Sequence, residues 1–488
     1  MFKKVLLFHI IVAVLRVLYV LYRDIDLSTE EAQYWLWSKH LDLSYYSKPP
    51  LIAYLNFIST SILGDTEIGV RINAIILGFL TAVAVYLFTK YMFKDERLAF
   101  FSSIFIYFIP TYEIASIIFL TDTPLAFFYL LLICFFYKAV NSGKSTDWIL
   151  TGIFGGLAFY SKFSAVLFLI PAFIYILLFK REIFKEKWLY ISISIAGLFT
   201  LPIIYWNIVN DFVSFKHVGK LAGATENSVI NLKHLGDYIL GQIGINSPFL
   251  FPFMVYAIYR SFKDKDEKLI YLSLNGVVIF SFFMFISLKK NVEANWPAFA
   301  YVSLYILTAY YIYKYHLKKA IIPMFLSTLG VIILFYTPIL DKVSLTHILP
   351  PKKDPTKRLV GWKDMGEVVY GEIINLNTTK YFIFSDSYHI SSELAFYVRG
   401  NPQTYCVRID RRMNQFDLWE GVSKFENKGY FGIYVADHPI TDRVKNGFDE
   451  ISKEFVYKVK YRGEFVKDYY IYVLKNYRKI EEDPITSF

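Results

Sequence analysis

Residues 5–22 read VLLFHIIVAVLRVLYVLY, an apolar run of membrane-crossing length, and residues 28–50 continue with STEEAQYWLWSKHLDLSYYSKPP. The first stretch predicts a helix through hydrocarbon, which about 20 apolar residues are enough to cross. The second places adjacent carboxylates, lysines and a cluster of Trp and Tyr where the chain leaves that span, at the level where amphipathic aromatic rings settle. The apolar pattern recurs along the chain. It predicts about eleven spans, at 5–22, 68–89, 98–114, 121–137, 147–160, 163–179, 188–209, 246–262, 269–288, 295–313 and 320–340. With 55% hydrophobic and 19% aromatic residues in 488, and a mean hydropathy of +0.38, a soluble globular class is excluded. The expected fold class is a polytopic α-helical membrane protein. The MFKK start suits a signal peptide, but no small-residue cleavage site follows and Arg16 interrupts the run, so the first span is expected to be an anchor.

Basic residues recur in every second loop: Lys3 and Lys4; Lys90, Lys94 and Arg97; Lys138 and Lys144; Lys180, Arg181, Lys185 and Lys187; Arg260, Lys263, Lys265 and Lys268; Lys314, Lys318 and Lys319. Loops beside spans that carry Lys and Arg stay cytoplasmic, so the N-terminus is predicted inside. The stretches around Glu30, Asp122, Lys162 and Lys289, the loops 23–66 and 210–245, and everything after about 341 then fall outside. The net charge of +10 is explained by this topology and by anionic lipid, and no basic groove with a nucleic-acid motif is present. After Pro338 the composition turns mixed. This predicts two units, a membrane module over 1–340 and a small soluble α/β unit over 341–488. Strands are expected at Tyr381–Ser385, Thr404–Val407, Gly432–Ala436 and Tyr469–Lys475, and helices at Trp362–Asn375, Ile390–Val398 and Asp442–Ser452. The two cysteines, Cys134 and Cys406, read as packing residues rather than a disulfide.

The acids divide by geometry. Ser28 with Glu31 three positions on forms a capping box, which occupies Glu31. Glu30 lies about 100° round the helix, one turn from Tyr34, and stays free for chemistry or for an ordinary first-turn role. Asp122, in FLTDTPLAF, reads either as a helix N-cap or as a functional acid at the hydrocarbon edge. Lys48 before a double proline, Lys162 inside an apolar stretch, and Lys289 with Lys290 beside Glu293 and Trp296 read either as lipid anchors or as cations for a phosphate. His40, His217 and His234 are too scattered for a metal signature, and no metal is expected.

The ordered runs EEAQYWLWSKHLDLSYYSKPPLIAYL, GVRIN, FLTDTPLAF, GLAFYSKFS and KKNVEANWPAFAY resemble the bacterial glycosyltransferases of the protein O-mannosyltransferase superfamily, the GT-C class that includes the lipid A aminoarabinose transferases. The likeness covers about the first 340 residues. It continues into GWKDMGEVV, SDSYHISSELAFYVRGNPQTYC and RRMNQFDLW, which are similar to the outer domain of one bacterial branch. The resemblance implies a GT-C fold in a bacterial cytoplasmic membrane and an inverting transfer from a polyprenyl-phosphate sugar, without nucleotide. It implies Glu30 as the catalytic acid, an Asp to Glu departure, with Asp122 as the second acid and Lys48 on the lipid phosphate. Gln33 stands where the aminoarabinose enzymes have Arg, and Ser47 where they have Glu before the lysine, which removes support for a metal there.

The expected reaction has Glu30, with Asp122, taking the proton of an acceptor hydroxyl. Lys48, with Lys162, Lys289 or Lys290, stabilises the departing polyprenyl phosphate. Glu31, Tyr34, Tyr45, Tyr46, Glu293 and Trp296 support the site, the tyrosines with Trp35 and Trp37 as walls or interface anchors. The expected acceptor is lipid A, another envelope glycolipid or a protein, and membrane lipids surround the chain. A protein O-mannosyltransferase is the nearest alternative. A polyprenyl-lipid flippase is the rival from another class, though transporters place their polar groups near mid-membrane.

Overall fold

In a computed structural model the protein is a bundle of helices capped at one end by a mixed β-sheet unit, with residues 1–23, 25–221 and 230–485 described. Asp24 of the predicted loop 23–66, residues 222–229 of the predicted loop 210–245, and residues 486–488 at the end of the predicted α/β unit lie outside the described residues. Among the described residues six helices are long and apolar enough to cross a membrane: Phe2–Arg23, Glu67–Phe93, Asp122–Ser142, Lys187–Val209, Glu267–Ser287 and Ala298–Phe335. Many outward side chains on these helices are large and apolar, such as Leu7, Leu15, Leu198, Leu201, Ile321 and Phe325, which suits a lipid solvent. Arg16, alone in its apolar run, is neutralised inside the bundle by Glu113 at 2.9 Å.

The long Ala298–Phe335 segment doubles back near His316, whose backbone leaves helical angles (φ −136°, ψ 15°). Lys314 pairs with Asp95 at 3.3 Å, whereas Phe335 at the far end accepts from the Tyr19 hydroxyl at 2.9 Å. The basic loops gather at the Asp95 end: Lys138 meets Asp147 at 3.4 Å and Lys180 meets Glu267 at 3.3 Å. The acids singled out in the sequence lie at the other end.

Both long outer connections of the sequence reading carry helices, the first of them the one expected from the Ser28 capping box. Residues 23–66 contain the helices Thr29–Lys39 and Leu51–Leu63, the latter starting just after Pro49-Pro50. Residues 210–245 contain Val213–Leu221 and Leu232–Ile245. The second of these packs on the bundle, where the Tyr238 hydroxyl donates to Phe280 O at 3.0 Å and Tyr301 donates to Gln242 at 2.8 Å. Tertiary burial makes a helix of a stretch whose Lys, His and Asp read as loop.

The C-terminal sheet has five strands in the order β2-β1-β3-β5-β4. They are β1 Tyr381–Ser385, β2 Thr404–Cys406, β3 Phe431–Ala436, β4 Phe448–Tyr461 and β5 Glu464–Tyr477. β1 runs parallel to β2 and β3, and β5 is antiparallel to β3 and β4. The helix expected at Asp442–Ser452 ends at Asn446, and Phe448 already begins β4. β4 is an edge strand whose acidic, lysine-rich first half is mostly exposed, whereas Phe455, Tyr457, Val459 and Tyr461 alternate inward in its second half, so the first half owes its conformation to pairing with β5.

This unit is joined to the bundle through one core. Trp35, Trp37, Val70 and Phe119 share it with Trp362, Ile383, Leu394, Phe396 and Ile433. Asp26 accepts from Trp362 N at 2.7 Å, Leu27 N donates to the Tyr397 hydroxyl at 2.6 Å, and the Trp35 and Phe396 rings meet edge to face at 4.9 Å. Beneath this seam the capping box forms as the spacing predicts: Ser28 accepts from Glu31 N, and Glu31 accepts from Ser28 N at 2.9 Å. Glu31 also binds Arg71 at 3.0 and 3.1 Å and Phe119 N at 3.0 Å, with both side chains of the ion pair fully buried.

Removing one member of such a pair leaves a buried charge and costs about 3–5 kcal/mol. Arg71→Met is therefore expected to lower the thermal unfolding midpoint in detergent sharply, and Glu31→Gln added to it is expected to recover part of the loss. An unchanged midpoint in Arg71→Met contradicts the assignment.

Candidate functional site

A cavity of about 1190 Å³ opens between the acidic end of the bundle and the sheet unit. Glu30, Tyr34, Lys48, Asp122, Lys162, Lys290, Glu293 and Trp296 all line it, although they come from separate parts of the chain. Glu31, Tyr45, Tyr46 and Lys289 are not among its lining. Glu31 is spent on Arg71. Tyr45 stacks on Trp37 at 4.5 Å and donates to Trp37 O at 3.0 Å, a packing role. The Tyr46 ring packs 4.7 Å from His217, and Lys289 is solvent-exposed.

Local structure explains why each group points inward. Glu31 is turned back to cap its own helix, so the neighbouring Glu30 projects from the exposed side of the first turn, where Thr29 donates to it at 3.2 Å. The double proline ends one extended stretch and starts the Leu51–Leu63 helix, with Tyr45 N donating to Lys48 O at 3.1 Å to close the turn. Asp122 opens its helix, but Thr121 holds the N-cap position and no side chain caps it. The Asp122 carboxylate is instead engaged by Lys162 at 2.7 Å and Asn295 at 2.9 Å. Lys162 sits between two helical segments, Ser145–Ser161 and the turn from Phe163, which frees its side chain to reach across.

The cavity is electrostatically coupled. Burial, with the Lys162 ammonium next, pushes Lys48 down to about 8 against the pull of Asp122 and Glu30. Lys48 makes no ion pair or side-chain hydrogen bond among the described residues. Burial and then the Glu30 and Asp122 charges hold the Tyr34 phenol above its ordinary value. Burial pushes His217 down to about 4, with the Arg412 and Lys48 cations adding to it. Lys290 donates to Lys220 O at 2.6 Å.

The C-terminal unit supplies the other wall, with Arg358, Tyr388, His389 and Arg412 in the lining and Asn295 opposite. Sequence reading did not select these residues, because each lies far along the chain from Glu30; the only pointer is that the unit's four groups fall in or beside the motif stretches beginning GWKDM, SDSYH and RRMNQ. Burial holds the His389 imidazole below its ordinary value although Glu30 pulls the other way. Behind them Glu393 is fully buried with both carboxyl oxygens unpartnered, and burial, then the Asp26, Glu31 and Glu30 charges, raise its acid well above the ordinary carboxylate range. Among the described residues no three His, Cys, Asp or Glu side chains converge as a metal site.

Residues 47–206 match the family described as dolichyl-phosphate-mannose-protein mannosyltransferase. The chain is 29% identical over 297 residues, 59% of its length, to the lipid A galacturonosyltransferase RgtD of Rhizobium johnstonii, of which the match covers 61%. It is 26% identical over 211 residues, 39% of its length, to the undecaprenyl phosphate-alpha-4-amino-4-deoxy-L-arabinose arabinosyl transferase 2 of Proteus mirabilis, of which 36% is covered. The matched region thus spans less than two thirds of either relative. ArnT from Cupriavidus metallidurans, in a crystal structure bound to undecaprenyl phosphate, shares the fold at a TM-score of 0.69 and 15% identity, over 96% of this chain and 97% of that one. The chain thus carries a dolichyl-phosphate-mannose-protein mannosyltransferase match over residues 47–206 and shares the fold of ArnT.

Proposed function

We propose that the protein is an inverting glycosyltransferase that moves a sugar from a polyprenyl-phosphate donor to a hydroxyl of lipid A or a related envelope glycolipid. The observation that carries this reading is the meeting of Glu30, Asp122, Lys48 and Lys162 in one cavity. The relatives named for lipid A and for undecaprenyl-phosphate sugars support the substrate class. In this reading the chain crosses a bacterial cytoplasmic membrane about eleven times. Its N-terminus and basic loops are inside, the cavity is outside, and a membrane module over 1–340 carries an extracytoplasmic unit over 341–488. The gathering of basic loops at the end opposite the cavity supports that orientation.

In the step itself Glu30 accepts the proton of the acceptor hydroxyl as its oxygen attacks the anomeric carbon. The bond from that carbon to the phosphate oxygen breaks on the opposite face, which inverts the configuration. The electron pair leaves on the phosphate, whose growing charge the Lys48 and Lys162 ammoniums stabilise. Asp122 orients Lys162.

Glu30→Gln removes the base while keeping size and polarity. Transfer of label from a polyprenyl-phosphate sugar in proteoliposomes is expected to fall by about 10²–10⁴, with binding of undecaprenyl phosphate little changed. Full transfer in that variant contradicts the assignment, and label that crosses the membrane without being transferred favours a lipid carrier.

The Lys48 titration gives a second test. Below about pH 8 the side chain is an ammonium that holds phosphate; above it the neutral amine does not. Undecaprenyl phosphate affinity is expected to weaken as pH rises through about 8. In Lys48→Arg, whose guanidinium stays charged, the decline is expected to disappear.

A further inference from the structure

The parallel part of the sheet carries a second crevice. β1, β2 and β3 lie in the order β2-β1-β3, so the chain passes from β1 to one neighbour and then returns to the other. The two connections cover opposite faces. The Tyr388–Tyr397 helix packs Ile390 and Leu394 on the Ile383 face, whereas the turn Val422–Phe425 packs on the other, where Phe425 stacks on Phe382 at 4.8 Å. A strand order that reverses in this way leaves a gap beyond the carboxyl ends of the strands, the place where open α/β sheets bind ligands.

Here the gap is a crevice of about 310 Å³. Asp386 and Tyr388 follow β1, Arg412 follows β2, and Asp437, His438 and Thr441 follow β3. It shares Ser387, Tyr388, Arg412 and Asp437 with the large cavity, so the two are continuous.

Its polar groups are fixed and only partly used. Asp386 accepts from the Tyr434 hydroxyl at 2.7 Å and pairs with His438 at 2.9 Å through one oxygen, and its other oxygen has no bond among the described residues. The Thr441 hydroxyl is buried without a partner. The Arg412 guanidinium has no ion pair or hydrogen bond among the described residues. Its backbone is nonetheless held: Arg411 grips Asp417 at 2.8 and 2.9 Å, Met413 packs with Tyr46 and Trp206, and Gln415 accepts from Tyr46 N at 2.7 Å. That docking carries Arg412 to the segment that bears Lys48.

Carboxylate acceptors, a lone hydroxyl and a tyrosine ring at a mouth marked by a free guanidinium suit a hydroxylated ring with a negative substituent. Ile409 is the sole aliphatic residue in the described lining, which leaves no pocket for an apolar peptide side chain. We propose that this crevice is the subsite for a sugar unit of the acceptor, one whose anionic substituent reaches Arg412. The proposal rests on the glycosyltransfer reading and deepens it, since it assigns acceptor choice to the C-terminal unit and donor activation to the bundle.

The test uses the full chain in detergent and a soluble probe, the phosphorylated glucosamine disaccharide left when lipid A is deacylated. The wild type is expected to bind it, and Thr441→Val, Asp386→Asn and Arg412→Gln are each expected to weaken binding roughly tenfold. Arg412→Gln is expected to have little effect on the same disaccharide without phosphate. Binding of undecaprenyl phosphate is the control for folding in Thr441→Val and Asp386→Asn, and is expected to stay unchanged. Glu30→Gln is expected to keep the disaccharide, so failure of the base assignment and failure of the subsite are read separately. Wild-type protein that does not bind the probe at millimolar concentration, or binding that survives both Thr441→Val and Asp386→Asn, overturns the proposal. Displacement of the probe by a serine- and threonine-rich peptide that binds more tightly overturns it as well.

Discussion

The arrangement of the cavity depends on the buried pair Glu31 and Arg71. One carboxylate closes the capping box of the Thr29–Lys39 helix, binds the guanidinium of the Glu67–Phe93 helix and accepts from Phe119 N, three residues before Asp122. The guanidinium in turn donates to Ile25 O at 2.9 Å and Asp26 O at 2.6 Å, which fixes the chain where it leaves the first helix. Two charges out of water are costly unless their remaining valences are filled. Here the backbone fills them, and so the charges specify where three segments meet. The hub sets the backbone from which Glu30 and Asp122 project, and Lys162 and Asn295 then hold the Asp122 carboxylate. Of the two adjacent carboxylates, Glu31 is the structural one, and its neighbour Glu30 is left facing the cavity.

The four charged groups around the cavity are not equivalent. Lys162 and Asp122 already satisfy each other at 2.7 Å, with both side chains largely buried. Burial first, and then repulsion from Lys162 and Arg412 against only longer-range attraction to the acids, makes the Lys48 ammonium the weakly held one. An incoming phosphate therefore gains most at Lys48, where it ends a like-charge repulsion without breaking an existing bond. At Lys162 it must compete with Asp122. On the glycosyltransfer reading this orders the roles: Lys48 binds the phosphate in the ground state, and Lys162 responds when charge grows on the leaving oxygen. An interaction that strengthens only at that moment is one that accelerates the step.

The helical class was legible because apolar runs of crossing length are rare in soluble folds, and the capping box was legible because it is a local device with fixed spacing. The split between Glu30 and Glu31 followed from that device alone. The sequence did not reveal that Asp122 would be bound by Asn295, since nothing local connects residues so far apart. The same holds for Arg412, placed by Met413 and Gln415 docking on residue 46. The strand β4 was hidden for a different reason. Its sequence FDEISKEFVYKVKY shows little alternation in its first half, and there only the partner β5 decides the conformation. Lys289 and Lys290 form one basic pair in the sequence, but the turn that follows the helix end at Ser287 leaves one in solvent and one at the cavity.

The C-terminal unit is part of the site, not an appendage, and the form of its docking explains why. Its seam with the bundle joins apolar rings, Trp35 on Phe396, to a few buried polar contacts from Asp26 and Leu27. Into that seam the unit also inserts Glu393, whose carboxyl finds no partner and sits beside three acids. Burial, and then the Asp26, Glu31 and Glu30 charges, raise the Glu393 acid well above the ordinary carboxylate range, with Arg71 pulling the other way. The unit packs this side chain against the Thr29–Lys39 helix while Glu30 faces the cavity. The same closeness that makes Glu393 costly as an anion brings His389, one turn earlier on its helix, across from Glu30. Burial of the unit's helix and enclosure of the Glu30 carboxylate are therefore one structural event, which is the physical reason that the wall of the cavity is supplied by residues so far from its floor.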